Sequence, residues 1–69
     1  LSVGEKIMSL RKQRNISQYK LAKLVKVFNQ SQISKIEKGF RKISVTDLEL
    51  FAKALDVKPE DLLKNGTEN

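Results

Sequence analysis

The 69-residue sequence has no cysteine, histidine or tryptophan, one proline, three glycines and only 6% aromatic residues. Without Cys or His, neither a disulfide nor a Cys/His zinc site can staple the chain. A domain this short then depends on close helix packing, or on a second copy that extends its core. The same absences remove the usual nucleophiles and general bases. The carboxylates that remain are scattered over exposed helix faces, so no catalytic set is visible and a non-enzymatic protein is expected. No apolar run approaches the length of a membrane span, and no signal-peptide pattern opens the chain. These absences lead to the expectation of a cytoplasmic protein with no metal, cofactor, small-molecule ligand or membrane partner.

What is present is charge, and it is unevenly placed. Residues 1–42 carry eleven Lys and Arg against Glu5 and Glu37, a balance of +9, whereas residues 43–69 sum to −3. A basic front half on an acidic back half suggests a surface that faces a polyanion, although solubility alone can favour scattered lysines. Lys12, Lys23 and Lys53 are expected on solvated faces.

Apolar spacing predicts helices throughout, with no strand signal. Val3, Ile7 and Leu10 fall on one face of a first helix of about three turns that fades at Asn15. Ser17 is a good N-cap for a second helix, with Leu21, Leu24 and Val25 as its apolar stripe and Ile16 tucked into the core before the cap. Asn29 caps a third helix, and Gln32 three residues on can reach back to it, with Phe28 and Ile33 forming a hydrophobic staple. Ile33 and Ile36 face inward, which leaves Gln30, Ser31, Gln32, Ser34 and Lys35 largely outside the core stripe. Gly39 stands where a left-handed residue ends that helix. Ser44 and Asp47 repeat the capping logic for a fourth helix with Leu48, Phe51, Ala52 and Leu55 inside. Pro59 opens a short fifth helix bearing Leu62 and Leu63, closed by Asn65-Gly66. The result is an all-α, compact five-helix domain over residues 1–66, with 67–69 as a frayed tail.

Several blocks carry a family likeness: Gly4-Glu5-Lys6-Ile7, Leu10-Arg11-Lys12, Ile16-Ser17-Gln18, Leu21-Ala22, Ile33-Ser34-Lys35-Ile36-Glu37-Lys38-Gly39 and Phe51-Ala52-Lys53-Ala54-Leu55. Together they resemble the helix-turn-helix family of phage repressors, Cro and Xre-like regulators, over nearly the whole chain. The resemblance implies a lambda-repressor-like domain that binds an operator in double-stranded DNA, as a homodimer, with helix three in the major groove. It implies base contacts from Gln30, Ser31, Gln32 and Lys35. It implies phosphate contacts from Ser17 and Gln18, and from Lys38, Phe40 (through its backbone), Arg41 and Lys42 in the following loop. It also implies a structural ion pair between Arg11 and Glu37, with Arg11 touching DNA as an alternative.

Chemistry supports these roles separately. A Gln amide can bridge the N6 and N7 edge of adenine. A helix N-terminus capped by Ser17 offers free N–H groups to a phosphate, and nearby cations add a salt-dependent term. Competing roles stay open: Gln32 can be spent on capping, and Gln30 and Ser31 can be ordinary solvated residues. The stretch from Leu21-Ala22 to Ile33 is one residue longer than the family pattern and has no glycine. Either the turn is longer or helix two runs on. An antitoxin-like partner whose DNA binding serves autoregulation, and a protein-interaction module that has lost DNA binding, are the competing functional classes.

Overall fold

A computed structural model describes residues 2–63. Its five helices are α1 (Val3–Gln13), α2 (Gln18–Val25), α3 (Gln30–Glu37), α4 (Val45–Leu55) and α5 (Pro59–Leu63), and the described residues contain no strand. Asn65-Gly66 and the tail at 67–69 lie outside the described residues. Ile7, Leu21, Val25, Ile33, Ile36, Phe51, Leu55 and Leu62 form the centre of one core, so every helix contributes to it. Leu24 is a correction to the expected stripe. It is 41% exposed, and Ala22 is buried in its place. On a helix Leu21, Ala22 and Val25 cluster on one side, and Leu24 falls roughly a quarter-turn or more off their centre.

Reciprocal capping boxes start three helices. Asn29 Oδ1 accepts from Gln32 N–H, and Asn29 N–H donates to Gln32 Oε1, both at 2.9 Å. Ser44 and Asp47 do the same at α4. A third box, Ser2 with Glu5, opens α1 and was not read from the sequence, although Ser-x-x-Glu is the same signal. The Ser2 N–H, and then its hydroxyl, hold the Glu5 carboxyl below the ordinary carboxylate range.

Three helices end alike. Asn15, Gly39 and Asp56 adopt positive φ after α1, α3 and α4. The next N–H then reaches back to a carbonyl of the last turn, Ile16 to Arg11, Phe40 to Lys35 and Val57 to Ala52, at 2.8–3.0 Å. This is the Schellman arrangement. The turn between α2 and α3 resolves the missing glycine. Helix α2 does not run on; it stops at Val25, and Lys26 itself takes the left-handed conformation at φ 71°. Asn and Asp tolerate that region through local hydrogen bonding, but lysine has no such compensation.

α1 crosses α3 closely. A Cβ on Gly4 would stand 2.1 Å from the Ile36 carbonyl oxygen, so only glycine fits there. Beside that crossing, the Arg11 guanidinium grips Glu37 side-on: Nε donates to Oε2 at 2.7 Å and Nη2 to Oε1 at 3.0 Å. Its Nη1 donates to the Ile16 carbonyl at 2.9 Å, tying down the chain between α1 and α2. Arg11 is 8% exposed and Glu37 3%, and the whole grip faces inward.

Two stability outcomes follow from this geometry. Lys26→Gly should stabilise the domain by roughly 0.5–1 kcal/mol, the left-handed cost less the extra entropy that glycine loses on folding. Urea melts check this. An unchanged slope with a raised midpoint for Lys26→Gly but not Lys26→Ala is expected, and equal midpoints would remove the strain at Lys26. Glu37→Ala strands a buried guanidinium and should cost roughly 3–5 kcal/mol. Thermal melts should show Tm falling by more than about 10 °C. Parent-like melting would mean that the pair contributes nothing.

Candidate nucleic-acid interface

The outward face of α3 carries exposed Gln30, Ser31 and Lys35, with half-buried Ser34 one turn along. Together with Gln18, Lys38 and Phe40 they line one open groove. These residues meet because α2 and α3 pack against each other, which sets the first turn of α2 beside the face of α3. Ser34 was not among the expected contacts. Its spacing from Gln30 and Ser31, four and three residues, is the signal that places it there.

The expected contact residues are not equally free. Gln32 is half-buried, and its Oε1 already accepts from the Asn29 N–H, which holds the amide in its cap. A two-point contact with adenine uses a donor and an acceptor together, and Gln30 has both unengaged whereas Gln32 has one lone pair of its oxygen spent on the cap. Gln18 is half-buried too, and its Nε2 donates to Glu37 Oε1 at 3.0 Å. The buried pair below thus orients the amide at the edge of the groove. Ser17 is used as the α2 cap, its hydroxyl accepting from Lys20 N–H, which holds the helix end in place and leaves the backbone donors of the first turn pointing outward.

The loop after α3 differs from expectation at two points. Phe40 cannot offer its backbone N–H to a phosphate, because that N–H already donates to the Lys35 carbonyl. What Phe40 presents is its ring, which is 79% exposed. Arg41 and Lys42 lie outside the groove and line a separate hollow with Ser2, Val3 and Gly4 at the start of α1. The Arg41 guanidinium lies 5.2 Å from the Phe28 ring centroid, and Phe28 in turn stacks on Phe51 at 5.9 Å. That contact ties the loop back to the turn between α2 and α3. Arg11, buried and triply bonded, has no reach to the surface.

The described residues hold no group of three or more Asp, Glu, Cys or His side chains able to bind a metal. No helix among them is long and apolar enough to cross a membrane. What the groove offers is amide, hydroxyl and ammonium groups on a basic surface.

Comparison with known proteins gives the same picture. The helix-turn-helix family pattern matches residues 7–62. The control protein C.BamHI of Bacillus amyloliquefaciens is 41% identical over 64 residues, 91% of this chain and 78% of that protein. Two rickettsial HTH-type transcriptional regulators also match, and the chain spans about two fifths of their length (41% and 42%). Among solved structures, the restriction-modification controller protein C.AhdI of Aeromonas hydrophila superposes with a TM-score of 0.82 at 32% identity, covering 87% of this chain and 86% of that one. The P22 c2 repressor, in complex with synthetic operator 9T, superposes with a TM-score of 0.83 at 34% identity, covering 93% and 96%. The matched segment takes in all five helices but for the first turn of α1 and the last residue of α5, and on that basis the chain belongs to the phage-repressor and Xre-like helix-turn-helix family.

Proposed function

We propose that this chain is the sequence-specific double-stranded DNA-binding domain of a transcriptional regulator, with α3 lying in the major groove. The observation that carries this reading is the groove itself. One face of α3 holds Gln30, Ser31, Ser34 and Lys35 clear of the core, flanked by Gln18 and Lys38. Gln30 and Lys35 supply groups that match base edges. Lys38, the free backbone donors at the start of α2 and the Gln18 Nε2 hydrogen not given to Glu37 supply the phosphate contacts that fix register. Arg41 and Lys42, on the adjacent hollow, extend the basic surface toward the flanking backbone. The protein-interaction alternative draws no support from a groove of this composition, and the antitoxin-like alternative, which also binds DNA, is disfavoured by the relatives rather than by the groove.

The domain acts as a homodimer in this reading. Two copies would set their α3 helices in successive major grooves about 34 Å apart. Leu62 is buried in the core and Leu63 stands exposed beside it on α5, which makes Leu63 the residue available to a two-fold interface.

A titration against a duplex recovered from a random library tests the proposal. If a dimer neutralises roughly 6–10 phosphates, affinity should fall roughly 10³–10⁵-fold between about 50 and 200 mM salt. Lys38→Ala should weaken selected and random duplexes alike and lower the salt slope by about one for each copy bound. The stoichiometry should be two chains per duplex. Equal affinity for selected and random duplexes at every salt concentration would overturn sequence-specific binding, and one chain per duplex would overturn the dimer.

A further inference from the structure

Among the three helix ends built as Schellman turns, one departs from the pattern. The residue after the left-handed position is apolar in each case: Ile16, Phe40 and Val57. Such a residue ordinarily folds back onto its own helix and helps to close the core. Ile16 and Val57 do so, packing against the buried cluster. Phe40 does not. With 79% of its surface exposed it is the most exposed of the large hydrophobic side chains among the described residues.

The ring is nevertheless held by a fixed backbone. Gly39 at φ 83° and the 2.8 Å bond from the Phe40 N–H to the Lys35 carbonyl set where it starts. It stands between two hollows that share Gln18, Ser34 and Lys38, and one of them continues to Gln30 at the start of α3. In the hollow that reaches Gln30, Phe40 is the one apolar side chain among polar and cationic ones, whereas the other hollow also holds Met8, Glu5 and Glu37. Phosphate has no use for such a ring, and the N–H that could have met one is taken. Among the groups that base edges present in the major groove, the 5-methyl group of thymine is the apolar one, and phenylalanine is among the side chains that suit it.

We propose that Phe40 is a specificity-determining residue whose ring packs against a thymine 5-methyl group beside the bases met by α3. The proposal rests on the DNA-binding reading above and adds to it the apolar face of a ring, where the amide and lysine side chains offer only their methylene stems. Removing one methyl from such a contact should cost about fourfold in affinity.

The test is a thymine-to-uracil scan of a selected duplex, read with the parent chain, Phe40→Ala and Phe40→Leu. For the parent, uracil should weaken binding at one thymine per half-site by about fourfold. Phe40→Ala should bind the thymine duplex more weakly and lose its sensitivity to uracil at that position alone, with Phe40→Leu intermediate. Phe40 is outside the core, so all three should melt alike. Three results would overturn the proposal: parent-like affinity for Phe40→Ala, equal weakening on thymine and uracil duplexes as a deoxyribose contact would give, or altered sedimentation of Phe40→Ala without DNA. Failure of the DNA-binding reading looks different, since the parent would then show no preference for any duplex.

Discussion

The buried contact between Arg11 and Glu37 is the constraint on which the rest of the structure depends. Arg11 sits near the end of α1 and Glu37 at the end of α3, 26 residues apart in sequence. Their bidentate grip fixes how the polar face of α3 is carried by the rest of the domain. The guanidinium also holds the Ile16 carbonyl, and the carboxylate also accepts from Gln18, so one cluster joins α1, the start of α2 and α3. A buried ion pair is weak evidence of stability in itself, because desolvating both charges offsets much of their attraction. What this one supplies is geometry: planar, directional bonds that leave no buried side-chain polar atom unsatisfied among the described residues.

The fold was legible in the sequence where its determinants are local. Apolar spacing located all five helices, and the Asn29–Gln32 and Ser44–Asp47 boxes are contacts across three residues, which a sequence displays directly. Family likeness, rather than spacing, paired Arg11 with Glu37. The features that escaped depend on three-dimensional surroundings. Nothing about a lysine announces that Lys26 will adopt a left-handed conformation; the turn requires it, and the surrounding packing outweighs the local cost. Gly4 looks like any glycine near a helix start until α3 is laid across it. Leu24 reads as core by hydrophobicity and is placed outside by the angle of its helix.

The candidate site shows the same division. The polar face of α3 follows from the Ile33–Ile36 stripe by subtraction, so Gln30, Ser31 and Lys35 were in view from the start. Which of them is free to act was not. Gln32 turned out to be committed to its cap, Gln18 to Glu37, and the Phe40 N–H to its Schellman bond. Each commitment is a hydrogen bond that also holds the fold, at a helix end for Gln32 and Phe40 and between α2 and α3 for Gln18, so fold and function compete for the same donors and acceptors. Gln30 lies just past the cap and escapes that competition, which makes its amide the one in the groove with both its donor and its acceptor unclaimed by the fold.

The most direct measurement is therefore selection of bound sequences from a random duplex library with the parent, Gln30→Ala and Gln32→Ala. A bidentate amide contact discriminates by roughly 1–3 kcal/mol, so Gln30→Ala should relax one base pair in each half-site and leave the melting temperature in place. Gln32→Ala should lose stability along with some affinity, because it breaks a capping box. A parent motif that Gln30→Ala leaves intact, while Gln32→Ala or Lys35→Ala changes it, would contradict the assignment of Gln30 as the reading residue on α3.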